Sequence, residues 1–357
     1  MITRTSPNCQ TENTVIRLTE TETWQQLLSN ATLTLAELLQ KLDIPTNDLS
    51  ASFATSIDGQ PDTQPLDFPI RAPAPFIERM VKGDINDPLL RQVIPLAKEH
   101  DITPGYTADP LHEADFNNTP GLIHKYRSRA LLIVTKACAI HCRYCFRRHF
   151  PYEDNQPSRA MWSQALDYLQ QHNDINEVIY SGGDPLASSN AQLSWLSQRI
   201  ADIPHIKTLR IHTRLPVVLP QRIDTGLLAL LQQWPGKKVI VIHSNHANEL
   251  DNSVKVAIDQ LKATGATVLN QTVLLKGIND SAAALVALSE RLFDIGVLPY
   301  YLHLLDSVAG AAHFAISDSQ AKAIMRQVTA RLPGYLVPRL VREEADKASK
   351  TLILPNE

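Results

Sequence analysis

From about residue 130 onward the chain alternates between short apolar runs rich in β-branched and aromatic residues and longer stretches whose apolar positions recur every three or four residues. The short runs are predicted strands: ALLIVTKA (130–137), EVIYSGG (177–183), IKTLRIHT (206–213), KKVIVIHS (237–244), TVLNQTVLL (267–275) and VLPYYLHLL (297–305). The longer stretches are predicted helices: SRAMWSQALDYLQQH, AQLSWLSQRIAD, TGLLALLQQW, NSVKVAIDQLKATG, DSAAALVALSERLFDIG and SDSQAKAIMRQVTARL, several of which open on Ser, Asn or Asp as a cap. Strand followed by helix, repeated six times, requires a parallel sheet with right-handed crossovers. Six units are too few for the usual eight-stranded closed barrel, and they suit an open, partial (β/α)6 TIM-like barrel.

Residues 1–120 have a different pattern. Helical spacing in ETWQQLLSN and LTLAELLQKLDI, a Pro-rich stretch and then GDINDPLLRQVIPLAKEH predict a mainly helical accessory region. The barrel is expected over 121–332, and 333–357 is a short C-terminal segment whose charge run is by default a solvated face. In a sheet of this kind chemistry collects at the carboxyl ends of the strands. The conspicuous polar groups fall there: Cys138 after the first strand, Gly182, Gly183 and Asp184 after the second, Arg214 after the third, His243 to His246 after the fourth and Asp306 after the sixth.

Composition narrows the class of partner. A chain of 357 residues, 44% hydrophobic, is enough for one large α/β domain with an accessory piece. Its 34 basic and 37 acidic residues give a net charge of -3 and no polybasic field for nucleic acid or anionic lipid, which leaves a small substrate. The start MITRTSPNCQ has no apolar run, and no segment approaches the roughly 18 apolar residues of a membrane helix, so a cytoplasmic protein without membrane contact is expected. Of four cysteines, Cys9 stands far from the rest, which excludes a disulfide framework and favours a metal or catalytic role for the others.

Those others are Cys138, Cys142 and Cys145, in CAIHCRYCFRRHF (138–150). Thiolate is the ligating form, and three thiolates on one loop can hold three corners of a cubane iron–sulfur cluster while leaving the fourth iron open. The competing reading is zinc, with His141 or His149 as fourth ligand; structural zinc usually draws paired ligands from two loops, and no second pair exists here. C-x3-C-x2-C with Tyr144 before the last cysteine, placed after the first strand of a six-unit array, resembles the signature of radical S-adenosylmethionine enzymes. The resemblance implies a [4Fe-4S] cluster whose free iron is chelated by S-adenosylmethionine, and cleavage of that sulfonium to a 5′-deoxyadenosyl radical by an electron from an external donor. SGGDP is similar to the glycine-containing stretch of that superfamily. This implies that Ser181, Gly182, Gly183 and Asp184 border the methionyl end, the glycines allowing close backbone approach and the carboxylate favouring its ammonium.

Longer strings go further. HKYRSRALLIVTKACAIHCRYCFRRHF, SGGDPL, LRIHTRLPVVLPQRI, VIHSNHANEL, LNQTVLLKGINDS and PYYLHLLDSVAGAAHF, in that order, resemble the lysine 2,3-aminomutase family over most of residues 80–352. The modest length and the WQQLLSN…LAELLQKL pattern are similar to its short bacterial type, which acts in β-lysylation of elongation factor P. The resemblance implies an isomerase that moves the amino group of L-lysine from C2 to C3, through a pyridoxal 5′-phosphate aldimine, to give (R)-β-lysine. It also implies a pathway link to a lysyl-transferring enzyme for that factor. By the same resemblance Lys350 in ASKT is the Schiff-base residue, although REEADKAS stands where other members carry a glycine-rich turn. Arg147 matches the carboxylate-binding arginine. Asp306 and Glu343 fall where acids are expected for the ε-ammonium, which is costly to bury unpaired. Lys125, Arg129 and Gln271 match contacts to the pyridoxal phosphate, and Arg148 is a phosphate or surface residue. The alternatives are a radical enzyme without pyridoxal phosphate and a zinc-stabilised binding module; homo-oligomerisation stays open.

Overall fold

The structure, a computed structural model, describes residues 22–45, 68–117, 119–151, 158–345 and 347–355; Cys9 lies outside them. Strands β1 (Thr32–Leu33) and β2 (Ile70–Arg71) form a small antiparallel pair. The larger sheet contains β3 (Leu122–Tyr126), β4 (Arg129–Thr135), β5 (Glu177–Gly182), β6 (Thr208–Thr213), β7 (Lys237–His243), β8 (Thr267–Leu274), β9 (Leu298–Leu304), β10 (Arg339–Arg342) and β11 (Thr351–Leu352). Their order is β11-β10-β9-β8-β7-β6-β5-β4-β3. From β4 to β9 every strand runs parallel to its sequence neighbour, which is the partial (β/α)6 barrel that the alternating pattern predicts. Each predicted strand agrees with the observed one to within two residues at either end.

Helices α1 (Trp24–Ser29), α2 (Leu35–Lys41) and α3 (Ala74–Ile77) precede the barrel. Within it, α4 (Arg159–Gln171), α5 (Asn190–Ala201), the short α6 (Leu215–Val218), α7 (Thr225–Gln233), α8 (Asn252–Ala263), α9 (Ala282–Asp294) and α10 (Asp318–Arg331) connect and cover the strands. The six long helices start where a side chain satisfies a backbone N–H three residues on: Ser158, Ser189, Asp224, Asp251, Ser281 and Ser317 are the caps. Alternation along the strands separates two environments. In β4, Ala130, Leu132 and Val134 join the main core with Ala165 and Leu169 of α4, while Arg129 and Leu131 line the lumen.

Three parts of the chain depart from expectation. The basic run around Lys125 is not merely a prelude to the barrel; it is β3, antiparallel to β4 at the sheet edge. The C-terminal charge run is not a solvated face either. Burial of Leu340 and Val341 carries it into β10, parallel to β9, and β11 returns antiparallel with Arg342 opposite Thr351. Before the barrel, the described residues hold only three short α-helices among irregular turns, because Pro69, Pro73, Pro75, Pro88 and Pro95 interrupt any longer helix. This segment shares the main core through Trp24, Leu38, Phe76, Leu90 and Ile94, and Arg79 donates to the Val217 carbonyl at 2.7 Å. No helix among the described residues is long and apolar enough to cross a membrane.

Tyr180 of β5 and Ser197 of α5 place their hydroxyls 3.0 Å apart in the core. Tyr180→Phe leaves the Ser197 hydroxyl without that partner and should cost about 1–3 kcal/mol in urea unfolding. Adding Ser197→Ala should recover part of the loss; strict additivity of the two single losses would show that the hydroxyls are uncoupled.

Candidate active site

The lumen of the barrel is one cavity of about 590 Å³, of the size that small-molecule sites occupy. The residues that the family resemblance assigns to a site lie on its wall: Cys138, Cys142, Cys145 and Arg147 from the loop after β4, Ser181, Gly182, Gly183 and Asp184 after β5, Asp306 after β9, and Lys125, Arg129, Gln271, Glu343 and Lys350. They converge because parallel strands deliver all their outgoing loops to one edge.

The cysteine loop is held from outside by the segment that precedes the barrel. Arg71 donates to the Cys138 carbonyl at 2.7 Å, and the Arg143 N–H donates to the Gln92 carbonyl at 2.9 Å. Buried Glu99 accepts from Arg143 and, at 3.0 Å, from Arg148. Burial alone would raise its pKa, but the two guanidiniums hold it below the usual carboxylate range. Burial and the neighbouring thiols push Cys138 well up and bring Cys145 to about 12. The two histidines of a zinc reading are engaged elsewhere. His141 Nδ1 lies 2.8 Å from the Pro69 carbonyl and its ring stacks on Phe68, while His149 Nε2 is 3.3 Å from the Ala309 carbonyl. Among the described residues no three His, Cys, Asp or Glu side chains are grouped to hold one metal ion. Three thiols facing a cavity, with no fourth donor beside them, fit three corners of a cubane.

The second loop is tied closely to its neighbours. Gly182 has φ +119, and a Cβ there would lie 2.4 Å from the Thr135 carbonyl oxygen; at Gly183 it would lie 2.4 Å from that of Ala137. The space that side chains would take at the two glycines is therefore filled by the backbone leading into the cysteine loop. Asp184 is also committed. It accepts from Thr213 Oγ1 at 2.6 Å, Leu186 N at 3.1 Å, Arg214 N at 2.6 Å and Leu215 N at 3.0 Å. Burial pushes its carboxyl above the usual range despite these donors. It ties the second loop to the third, where a contact to a cofactor ammonium was expected. Ser181 Oγ accepts from Arg147 Nη1 at 2.9 Å.

At the C-terminal side, strand register creates the next cluster. Glu343 directly follows β10, Lys350 directly precedes β11, and Arg342 and Thr351 are paired, so residues seven apart in sequence meet. Lys350 Nζ donates to Glu343, as does the Tyr126 hydroxyl, and Lys125 Nζ donates to it at 3.0 Å. Burial would raise Glu343, but Lys350, Tyr126 and Lys125 hold its pKa at about 2. Lys125 also donates to the Glu344 carbonyl at 2.7 Å. Lys125, expected at a phosphate, thus contacts the tail, and Glu343, expected at a substrate ammonium, accepts from two amines of the chain.

Arg147 likewise meets the protein's own carboxylate: Nε and Nη2 donate to Glu113 at 2.8 and 2.6 Å. By contrast, Arg129, Gln271 and Asp306 have no side-chain hydrogen bond or ion pair among the described residues. Arg129 lies 4.2 Å from the Tyr126 ring centroid. Burial raises Asp306 to about 7, with Lys350 pulling it down and Glu343 pushing it up. Burial also keeps His212, His243 and His303 neutral, the last at about 3. A cavity with an open guanidinium, an open amide and an amine on its wall suits a phosphate-bearing carbonyl cofactor.

Sequence reasoning missed Glu113, Gln92, Glu249, His212, Tyr301 and His303. The last three carried a signal: in RIHT and PYYLHLL, polar or aromatic positions alternate with fully buried Ile211, Leu302 and Leu304, which marks a lumen-facing row. Gln92 and Glu113 lie in single 3-10 turns, too short for a periodic signal, and carried none.

Residues 132–233 match the family described as the Radical SAM superfamily. The L-lysine 2,3-aminomutase of Haemophilus influenzae is 46% identical over 333 residues, 93% of this chain and 96% of that protein. That of Escherichia coli is 50% identical over 284 residues, 80% of this chain and 83% of its own. That of Buchnera aphidicola subsp. Baizongia pistaciae is 42% identical over 341 residues, 96% and 98% of the two chains.

Two outcomes follow from this geometry. Gly183→Ala drives a methyl group into the Ala137 carbonyl, so the folded variant should retain much less iron than the wild type after anaerobic reconstitution; equal iron would refute the contact. An unfolded aspartate ionises near pH 3.9, whereas Asp306 does so at about 7. Between those values the folded chain keeps a proton that the unfolded chain has lost, so this group's stabilisation is full below about pH 4 and lost as pH rises through about 7. The stability of wild type relative to Asp306→Asn, from denaturant unfolding, should therefore fall across that window; a constant difference would count against it.

Proposed function

The chain belongs to the lysine 2,3-aminomutase family of radical S-adenosylmethionine enzymes, and from that premise we propose that it is an isomerase converting L-lysine to (R)-β-lysine for modification of elongation factor P. The observation that carries this reading is that the three thiols of the β4 loop and Lys350 from the far edge of the sheet line the same lumen. Family membership implies a [4Fe-4S] cluster, S-adenosylmethionine and pyridoxal 5′-phosphate. When bound, the first two supply a carbon radical and the third a π system able to carry an unpaired electron while nitrogen migrates.

In this reading Cys138, Cys142 and Cys145 hold the cluster and Lys350 anchors the pyridoxal group. Arg129 and Gln271, free of other partners, offer a cation and an amide to the phosphate-bearing cofactor. Asp306 is the open acid for the ε-ammonium of lysine. An arriving ammonium favours the ionised carboxylate, so Asp306, near half-protonated at neutral pH, gives up its proton as lysine binds. Arg147 receives the α-carboxylate as that group takes the place of Glu113 in its fork. Glu343 keeps Lys350 turned toward the lumen. Reactive carbon attacks whichever C–H bond is nearest, so the protein's share of the chemistry is to fix that distance and exclude water, which a walled lumen does.

The test is direct. Anaerobically reconstituted protein given L-lysine, S-adenosylmethionine, pyridoxal phosphate and dithionite should form β-lysine. Lys350→Ala should lose the pyridoxal absorbance band and the product together while keeping its iron and acid-labile sulfide. Undiminished β-lysine from that variant would overturn the reading.

A further inference from the structure

Arg214, the residue directly after β6, has no part in the scheme above, yet its side chain donates four hydrogen bonds, one of them to a thiol. Nη1 donates to Cys142 Sγ at 2.7 Å and to the Tyr144 hydroxyl at 2.8 Å. Nη2 donates to Gln92 Oε1 at 2.6 Å and to Glu249 Oε2 at 3.0 Å. The Arg214 and Glu249 side chains are 6% and 0% exposed. Glu249 is fixed in turn by Gln92 Nε2 at 3.1 Å and by the N–H groups of Asn245 and His246 at 2.8 and 3.0 Å. Burial opposes the charge on Arg214, but Cys142, Tyr144 and Glu249 keep it firmly protonated. The protein has thus buried a cation against one thiol of the three, with its counter-charge on the side of the guanidinium that does not touch sulfur.

A charge in a poorly screened interior acts strongly on its neighbours. A cluster that takes one electron from an external reductant becomes more negative. A cation donating to one of its sulfurs favours the reduced form, and a nearby anion opposes it. We propose that Arg214 raises, and Glu249 lowers, the reduction potential of the cluster held at Cys138, Cys142 and Cys145, the pair setting the balance between easy reduction and reducing power. This rests on the assignment of a cluster to those thiols. Arg214 acts through Cys142 and is a positioning residue.

The experiment is a potentiometric titration of the cluster, followed by electron paramagnetic resonance, in the full chain reconstituted anaerobically with iron and sulfide. Arg214→Gln should lower the potential and Glu249→Gln should raise it. Each shift should be about tenfold in the reduced-to-oxidised ratio at fixed potential, or about 59 mV for a one-electron couple. Arg214→Lys, which keeps the charge and loses the fork, should fall between Arg214→Gln and wild type. If Arg214→Gln retains no iron, Arg214→Lys must lie below wild type and Glu249→Gln above it. Shifts of the same sign, or no shift at wild-type iron and sulfide content, overturn the inference. A wild-type chain that binds no cubane overturns the cluster assignment itself, and that control separates the two failures.

Discussion

One buried carboxylate, Asp184, determines how three successive loops of the barrel meet. Its backbone N–H donates to the Ala137 carbonyl at 2.8 Å, fastening the loop after β5 to the one that carries the cysteines. Its side chain gathers Thr213, Arg214 and Leu215 of the loop after β6. Four donors offset part of its desolvation, and losing any of them would leave the buried carboxyl short of a partner. Because the Arg214 backbone is pinned there, its guanidinium reaches Cys142 through one nitrogen and Gln92 and Glu249 through the other. The thiols are therefore positioned from the barrel through Asp184 and from the preceding segment through Arg71 and Glu99.

The opposite side of the lumen is built by a different device. Two short strands appended to β9 bring the end of the chain back to the sheet, and their antiparallel register sets Glu343 beside Lys350. Lys125 and Tyr126 then reach the same carboxylate from β3, which is the other edge strand of the nine-stranded sheet. Contact between residues from the two edges means that the open barrel is closed here by side chains instead of by backbone hydrogen bonds. A flexible amine near the C-terminus would otherwise sample many directions, and the entropy of ordering it is offset by this shared acid.

Much of this was legible in the sequence, for reasons that differ by element. The six central strands and their helices announced themselves because burial on both faces of a parallel sheet demands apolar runs, and because Ser and Asp caps punctuate the helices. Cys138, Cys142 and Cys145 were legible because three ligands on one loop are visible in one dimension. The edge strands were not. β10 offers just four residues, Arg-Leu-Val-Arg, and its pairing to β9 depends on a contact with Tyr301 and His303 that no local pattern encodes. Asp184 and the glycines beside it were legible as a site but not in their role, because a carboxylate among glycines reads the same whether it meets a ligand or the next loop. Glu113 and Glu99, the acids that hold Arg147 and Arg143, lie in single 3-10 turns, too short for charge to carry a periodic signal.

The charge balance of the lumen gives the ligand its polarity. Glu113 answers Arg147, Glu177 answers Arg210, and Glu343 answers both Lys125 and Lys350. Arg129, Lys136 and Asp306 remain without a side-chain hydrogen bond or ion pair among the described residues, two cations and an acid that burial keeps partly protonated. Arg129 opens β4 and Asp306 lies just past β9, so they mark opposite ends of the strand layer. Seven residues of strand span roughly 20 Å, so the site runs through the depth of the barrel. Lys136 directly follows β4 and shares the rim of Asp306 and the thiols, so whatever fills the lumen meets a cation at one end and a cation beside an acid at the other.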